Sequence, residues 1–212
     1  LKRWQRSDYS GVVYAITGSG KTRVALAAIE AHLLLGWQVL VVVNKKVLQD
    51  QWIDDLVNVL GEPIRSQIGR LGNGYHDEFS DYNIIISIVN TAVSQPLELA
   101  PNKKGLIIAD ECHHYEAPVW SKALKKQFTR RLGLTATYDP DEVGQINENL
   151  ESYFGGQVYE LDFGEAIDDD IISHFDVEFF GSNLNRQERN KYDSSQDKMD
   201  ELYRRLAKSY NN

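Results

Sequence analysis

A short segment near the start of the chain constrains the fold more than any other feature. Residues 15–22 read Ala-Ile-Thr-Gly-Ser-Gly-Lys-Thr and stand between an apolar, β-prone run at 12–16 and a run of helix formers at 24–35. A buried strand, a glycine-bearing turn and a helix amino terminus together form a cradle for phosphate, because the glycines let backbone N–H groups point inward. The sequence therefore predicts a phosphate-binding loop at this position.

The residue types in this loop predict separate roles in binding a nucleotide. Lys21 is expected to reach the β- and γ-phosphates, and the Thr22 hydroxyl is expected to ligate Mg²⁺. The remaining residues predicted to surround the nucleotide are Thr17, Gly18, Ser19, Gly20 and Arg23. The strict pattern begins with glycine where this chain has Ala15, but the inner glycines still permit close approach. A plain Gly-Ser turn beside an unrelated lysine is the alternative, and the flanking strand and helix disfavour it.

The composition is that of a globular protein with a core. The 212 residues are 42% hydrophobic and 25% charged, and the net charge is −8. This acidic balance argues against a protein coated in basic surface, although a local basic strip remains possible. A single cysteine, Cys112, excludes an internal disulfide and is typical of a reducing compartment. Without a signal-peptide pattern or an apolar run of bilayer length, we expect a cytoplasmic protein with no membrane partner.

Strand-like and helix-like segments alternate after the phosphate loop. Near-continuous apolar runs at 38–43, 83–88 and 105–109 predict parallel strands covered on both faces. Further strands are expected at 131–134 and, as an edge strand, at 157–161. This alternation predicts an α/β fold in three layers, with a mainly parallel central sheet between helices.

The segments between these strands carry their own local signals. Helical spacing predicts a helix over 45–60 capped by Asn44, and a second helix over 118–128 that begins at a proline. A final strand is expected at 176–180. The charged stretch 185–210 carries a thin apolar stripe, which predicts a helical connector rather than a second core.

Two further motifs follow strands at the edge where ligands bind in parallel sheets. Asp110 and Glu111 come directly after the strand at 105–109, and Thr135 ends the strand after that. Asp110 is expected to hold Mg²⁺, and Glu111 is expected to orient and deprotonate an attacking water. The alternative is an ordinary acidic turn, but its pairing with a phosphate loop favours nucleotide hydrolysis.

In this order and spacing, the motifs resemble the first motor lobe of superfamily 2 helicases and translocases in the DExH branch. The matching stretches are 15–22 (motif I), 110–113 (motif II) and 135–137 (motif III), with weaker matches at 1–5 and at 41–52 (motif Ia). The likeness is greatest to repair translocases and to the motor subunits of restriction enzymes.

The resemblance implies a RecA-like P-loop lobe over residues 1–163 and a connector over 164–212 that leads to a second RecA-like lobe of the same polypeptide. It implies ATP and Mg²⁺ as cofactors and nucleic acid as a partner, with DNA favoured over RNA. Its further residue roles are adenine recognition by Gln5, coupling to the nucleic-acid grip by His113, Thr135 and Thr137, and phosphate-backbone contacts by Lys45, Lys46 and Thr91. From the residues alone, the two lysines also suit a solvated helix start, and Thr91 also suits a helix cap.

The resemblance also indicates what this stretch lacks. The family's arginine finger lies in a Q-x-x-G-R-x-x-R motif of the second lobe, and that string does not occur here. The expected function is therefore the ATP-binding lobe of a helicase or translocase, with weak or no hydrolysis by this lobe alone. The alternative is a nucleotide-binding or scaffold module that does not hydrolyse ATP. A small-molecule P-loop kinase is disfavoured by the consecutive acids at 110–111 and by the Thr-Ala-Thr strand end.

Overall fold

The computed structural model describes residues 1–136, 148–173, 178, 181 and 183–210. The chain divides into two compact units, Leu1–Ser173 and His174–Asn212. The second unit contains the long helix Arg186–Tyr210, which confirms the helical segment predicted near the end of the chain. The strand predicted at 176–180 lies outside the described residues, except for Glu178, which has no regular secondary structure. The division into a motor lobe and a connector stays a prediction.

The first unit alternates strands and helices, as the apolar pattern predicts. In chain order, the elements of both units are α1 Lys2–Arg6, β1 Ser10–Ala15, α2 Lys21–Leu34, β2 Gln38–Val43, α3 Lys46–Leu60, β3 Ile68–Gly72, β4 Tyr75–His76, β5 Ile84–Ile88, α4 Val89–Ser94, β6 Gly105–Ala109, β7 Phe128–Thr135, α5 Glu148–Phe154, β8 Gln157–Leu161, α6 Phe163–Asp168 and α7 Arg186–Tyr210.

The described strands form one eight-stranded sheet in the order β4-β3-β5-β2-β6-β7-β1-β8. Every neighbouring pair is parallel except β3 and β4, which form an antiparallel pair at one edge. β8 forms the other edge, as its alternating sequence predicts. The mainly parallel α/β sheet is therefore confirmed.

Alternate residues of the central strands pack into two separate apolar layers. In β2, Val39, Val41 and Val43 pack on the face covered by α2 and α3, whereas Leu40 and Val42 pack on the face covered by α4 and α5. All five side chains are fully buried. A strand buried on both faces needs apolar residues at every position, which explains the continuous run and the three-layer architecture.

Three strands of this sheet carry the predicted motifs to one edge. β7 lies between β6 and β1, and its register aligns Gly133 with both Ala109 of β6 and Val12 of β1. Because the three strands are parallel, the residues that follow Ala109, Thr135 and Ala15 emerge at the same edge of the sheet.

Two local predictions are wrong. No α-helix spans 118–128, where only Trp120–Ala123 forms a short 3₁₀ helix and Phe128 begins β7. Gln127 donates to the carbonyls of Pro96 and Leu97, so its segment is held by tertiary hydrogen bonds rather than by a helical ladder.

The predicted helix cap is also wrong. The first cap position of α3 is Lys45, which makes no side-chain capping hydrogen bond, and the side-chain oxygen of Asn44 is buried without a partner. The helix itself covers the predicted range within one residue. In the described part of the chain, no helix combines the length and apolar content needed to span a bilayer.

Candidate nucleotide site

The phosphate loop joins the end of β1 to the start of α2. Gly18 and Gly20 have φ values of +84° and +88°, in the left-handed region that glycine enters without strain. Nothing lies within 4 Å of the place where a Cβ would stand at either residue, so both face open space. Gly20 caps α2 and no side chain caps that end, which leaves the first amides of the helix suited to an anion.

Lys21 is folded back onto the loop that carries it. Its Nζ donates to the carbonyl of Ala15 at 2.6 Å and to that of Ile16 at 3.1 Å. Burial lowers the pKa of Lys21, while the carboxylates of Glu111 and Asp110 act in the opposite direction. The lysine of the loop and the acidic pair therefore lie near enough for their charges to affect one another.

A hydroxyl in the same loop lacks a hydrogen-bond partner. Ser19 Oγ is buried and unpaired among the described residues. A buried hydroxyl without a partner costs free energy, so the atom is suited to donate to a ligand oxygen. Thr22 lies in the first turn of α2 and is half-buried, whereas Thr17 and Arg23 are exposed. The open glycines and the unpaired hydroxyl fit a bound phosphate group.

Asp110 leaves β6 and is held by two donors. The indole N–H of Trp52 donates to Oδ2 at 2.9 Å, and the backbone N–H of Glu111 donates to Oδ1 at 3.1 Å. Burial raises the pKa of the Asp110 carboxyl, and the Trp52 hydrogen bond lowers it in part. The Asp110 carboxylate and the Thr22 hydroxyl are both oxygen donors of the kind that Mg²⁺ prefers.

Glu111 has an unusual backbone conformation. Its φ is +48° and its ψ is +53°, which places a glutamate in the left-handed region. Such a conformation costs about 1–3 kcal/mol and is found mostly where a site requires it. The residue immediately precedes the 3₁₀ helix Cys112–Glu116, and its carboxylate lies 3.6 Å from Nδ1 of His113.

His113 connects the acidic pair to the end of β7. Its Nδ1 lies 2.8 Å from Thr135 Oγ1, at a distance where either atom can donate depending on the tautomer of the ring. Burial lowers the pKa of His113, with a smaller contribution from the neighbouring His114. Thr137, predicted to share this coupling role, lies outside the described residues.

A cavity of about 430 Å³ opens beside the phosphate loop. Ser19 and Lys21 line it, together with Lys2, Arg3 and Trp4 of α1. Gln5, predicted to recognise adenine, is exposed on the same short helix. The cavity has both an apolar lining and a cationic side chain that could face a phosphate, as small-ligand sites commonly do.

The residues predicted to contact nucleic acid follow the neighbouring strands β2 and β5. Lys45 and Lys46 are exposed at the start of α3, directly after β2. Thr91 is partly exposed in α4, after β5, and its Oγ1 lies only 2.6 Å from where a Cβ of Gly72 would stand. All three residues lie at the carboxyl edge of the sheet, with Lys45 and Thr91 following strands that pair directly.

Sequence reasoning missed part of the site. It gave no role in the site to Trp52, yet this residue donates its indole N–H to Asp110. It gave no role to Lys2 or Arg3, which line the cavity. An apolar pattern indicates that a tryptophan is buried but does not give the direction of its N–H group.

Comparisons with known proteins place this geometry in context. The family model described as "Type III restriction enzyme, res subunit" matches residues 1–140. QP509L of African swine fever virus, provisionally named an ATP-dependent RNA helicase, is 35% identical over 123 residues, which are 57% of this chain and 23% of that protein. Rad25 of Haloarcula marismortui, provisionally named a DNA 3'-5' helicase, is 31% identical over 171 residues, which are 80% of this chain and 26% of that protein.

A solved structure has the same fold. The UvsW helicase from bacteriophage T4 superposes with a TM-score of 0.54 at 20% sequence identity, over 71% of this chain and 54% of that one. The chain spans about a quarter of the length of the curated relatives described above.

Proposed function

The chain belongs to the family described as type III restriction enzyme, res subunit, a superfamily 2 helicase family, and we propose that it is the amino-terminal ATP-binding lobe of an ATP-dependent nucleic-acid helicase or translocase. One observation carries the proposal. Lys21 follows β1 through the phosphate loop and both Asp110 and Glu111 follow β6, so all three lie at the carboxyl edge of the sheet, where the two carboxylates act to raise the pKa of Lys21. A phosphate loop facing two carboxylates is the arrangement that nucleotide hydrolysis requires.

Each residue at this edge has a role that follows from its chemistry. Lys21 would exchange its bonds to the loop carbonyls for bonds to phosphate oxygens, and Ser19 would donate its unpaired hydroxyl to the same group. Thr22 and Asp110 would hold Mg²⁺, which supplies positive charge against the phosphate oxygens when it is bound. Glu111 would accept the proton of the attacking water.

The contact between His113 and Thr135 suggests how nucleotide state reaches the rest of the lobe. His113 lies close to the Glu111 carboxylate and touches the end of β7 through Thr135. A change in charge at the acidic pair would therefore alter a hydrogen bond at the strand end. We assign the same role to Thr137 from its place in the Thr-Ala-Thr motif.

Nucleic acid is the proposed track, with DNA favoured over RNA. Lys45, Lys46 and Thr91 would contact the phosphate backbone without reading sequence. The relative named for DNA matches 80% of this chain, against 57% for the relative named for RNA, which supports DNA. The proposed partner in cis is a second RecA-like lobe that supplies an arginine finger, joined through the connector predicted at 164–212. A cytoplasmic setting remains part of the proposal.

Nucleotide binding by the 212-residue chain tests the proposal. Titration with a fluorescent ATP analogue and Mg²⁺ should give saturable binding, and Lys21→Ala should abolish it. Lys126→Ala is the matched control, because Lys126 is an exposed lysine just before β7, at the opposite edge of the sheet. Glu111→Gln should retain binding, since it removes a base and not a phosphate contact.

Two outcomes would contradict the proposal. Unchanged ATP affinity in the Lys21→Ala variant would mean that the phosphate loop does not bind the nucleotide. If a longer chain that carries the second lobe bound ATP but showed no DNA- or RNA-stimulated hydrolysis, the protein would be a nucleotide-binding module that does not hydrolyse ATP, and not a helicase or translocase.

A further inference from the structure

A cluster at the amino-end edge of the sheet surrounds one arginine with aromatic rings. The guanidinium of Arg130, in β7, lies 3.5 Å from the ring centroid of Tyr9 and 4.2 Å from that of Trp37. Its Nη1 donates to Nε2 of His32 at 2.8 Å. We call Trp4, Tyr9, His32, Trp37 and Arg130 the arginine–aromatic cluster.

The charge of Arg130 is met by π faces rather than by an acid. Among the described residues, no carboxylate lies within ion-pair distance of its guanidinium. A cation between two aromatic faces is attracted to both, and the attraction is stronger where water is excluded. The arginine is therefore fixed in place by the rings on either side of it.

His32 has a defined tautomer in this cluster. An arginine can only donate, so Nε2 of His32 must be the acceptor, and the proton of a neutral ring must lie on Nδ1. That nitrogen is bonded to the carbonyl of Ala28. His32 is only 2% exposed, and its ring contacts Trp4, Tyr9 and Trp37 at centroid distances of 5.2–5.9 Å. Arg130 thus anchors the ring on which Trp4 packs.

The cluster supports a helix that could not stand alone. α1 has five residues, its only buried side chain is Trp4, and no side chain caps its start. A helix of this length is unstable in water without tertiary contacts. The Trp4 ring packs on Tyr9 and His32, and its indole N–H donates to the carbonyl of Arg131 at 2.9 Å.

The turn after α1 is held in a costly conformation. Asp8 and Tyr9 have φ values of +55° and +58°. The backbone of Tyr9 accepts from the N–H of Arg131 at 2.8 Å, and its ring lies against Arg130. Adjacent residues of β7 therefore hold both the backbone and the ring of this turn.

The same helix forms one wall of the cavity beside the phosphate loop. Lys2, Arg3 and Trp4 line the cavity, and so does Lys21. We propose that Arg130 is a positioning residue for nucleotide binding: between Tyr9 and Trp37 and bonded to His32, it fixes α1 and the cavity wall that receives the nucleoside part of ATP. This inference rests on the proposed ATP-binding function.

Comparing two ligands separates this role from general stability. Arg130→Met keeps side-chain bulk but removes the charge and the donor, so the affinity for ATP should fall about tenfold, a change typical of a lost desolvated cation–π contact. The affinity for inorganic triphosphate should stay unchanged, because that ligand reaches only the loop. Arg130→Lys should recover most of the ATP affinity. Arg65→Met, at an exposed arginine paired with Glu62, is the matched control and should change neither affinity.

Each outcome of this experiment decides the proposal. Equal weakening of ATP and triphosphate, or unchanged ATP affinity, would overturn it. If Arg130→Met does not fold, Trp37→Leu removes one face of the cluster and should weaken ATP alone by about threefold. Failure of the wild-type chain to bind ATP at all would overturn the proposed function itself, and a normal wild type with no selective loss in the variants would overturn only the role of Arg130.

Discussion

The indole N–H of Trp52 donates to Oδ2 of Asp110 at 2.9 Å, which joins the middle of α3 to the end of β6. α3 begins with the exposed Lys45 and Lys46, proposed to contact nucleic acid, and Asp110 is proposed to hold Mg²⁺. One hydrogen bond therefore links α3, which we propose contacts nucleic acid, to Asp110, which we propose binds Mg²⁺. Because the acceptor is a buried carboxylate, the bond belongs to the stronger class of about 1.5–3 kcal/mol.

Replacing Trp52 with phenylalanine should weaken Mg²⁺-dependent ATP binding. The ring volume is largely kept, but Asp110 loses the donor that opposes its burial, so its pKa should rise further. We expect the Mg²⁺ concentration for half-maximal binding to increase by about tenfold, with a larger increase at lower pH. Trp120→Phe, at a partly exposed tryptophan on the other face of the sheet, is the control. Equal Mg²⁺ dependence in both variants would contradict the role of Trp52.

Replacing Ser19 with alanine should separate stability from binding. The hydroxyl is buried without a partner, so its removal should leave the free energy of unfolding unchanged or raise it by up to about 1 kcal/mol. ATP affinity should nevertheless fall, because the ligand loses a donor. Thermal unfolding with and without ATP measures both quantities. A destabilised free protein would mean that the hydroxyl has a partner in solution and is not held ready for the ligand.

Replacing Glu111 with asparagine should stabilise the free protein while abolishing turnover by the complete motor. Asparagine tolerates the left-handed conformation better than glutamate, so about 1 kcal/mol of strain should be relieved. Glu111→Gln keeps the strain and also loses the base. Chemical denaturation should therefore rank asparagine above both glutamine and wild type, and a lower stability for asparagine would argue against strain at this site.

Acidification should destabilise the protein through His32. Burial is the largest influence on the pKa of His32 and lowers it. The hydrogen bond to the Ala28 carbonyl raises this pKa, and the charge of Arg130 lowers it. The unfolded chain therefore takes up a proton near the ordinary value of about 6.5, before the folded protein does, and stability falls as the pH drops through that range. A single group contributes at most about 1.4 kcal/mol per pH unit.

Denaturant titrations between about pH 7.5 and pH 5.5 measure this slope. His32→Phe keeps an aromatic ring and should flatten it. The pKa of His113 is also lowered by burial and acts in the same direction, so His113→Phe shows its share. An unchanged slope in His32→Phe would mean that folding does not lower the pKa of His32.

Much of the fold was predictable because strands buried on both faces leave a direct sequence signal. The runs ending at Val43, Ile88 and Ala109 are apolar at nearly every position, and each became a central strand. Glycines at positions 18 and 20 required a turn between strand and helix. Parallel strands must present their carboxyl ends together, so the common edge followed from topology alone.

The features that sequence did not predict depend on how separate segments dock. Arg130 and His32 are 98 positions apart in the sequence, so no local sequence pattern predicts their contact. The hydrogen bonds from Lys21 to the carbonyls of Ala15 and Ile16 are likewise set by the loop backbone and not by residue type. The false helix at 118–128 arose because its apolar spacing also suits a segment tied down by side-chain hydrogen bonds and leading into β7 at Phe128.

β7 has a mechanical consequence that follows from its length. Arg130 stands near its first residue and Thr135 is its last, so about 17 Å of extended backbone separates the two at roughly 3.3 Å per residue. The hydrogen bonds of β7 to both β6 and β1 hold this separation constant. β7 therefore keeps a constant distance between the region that we propose for the phosphate end of ATP and the region that we propose for its nucleoside end.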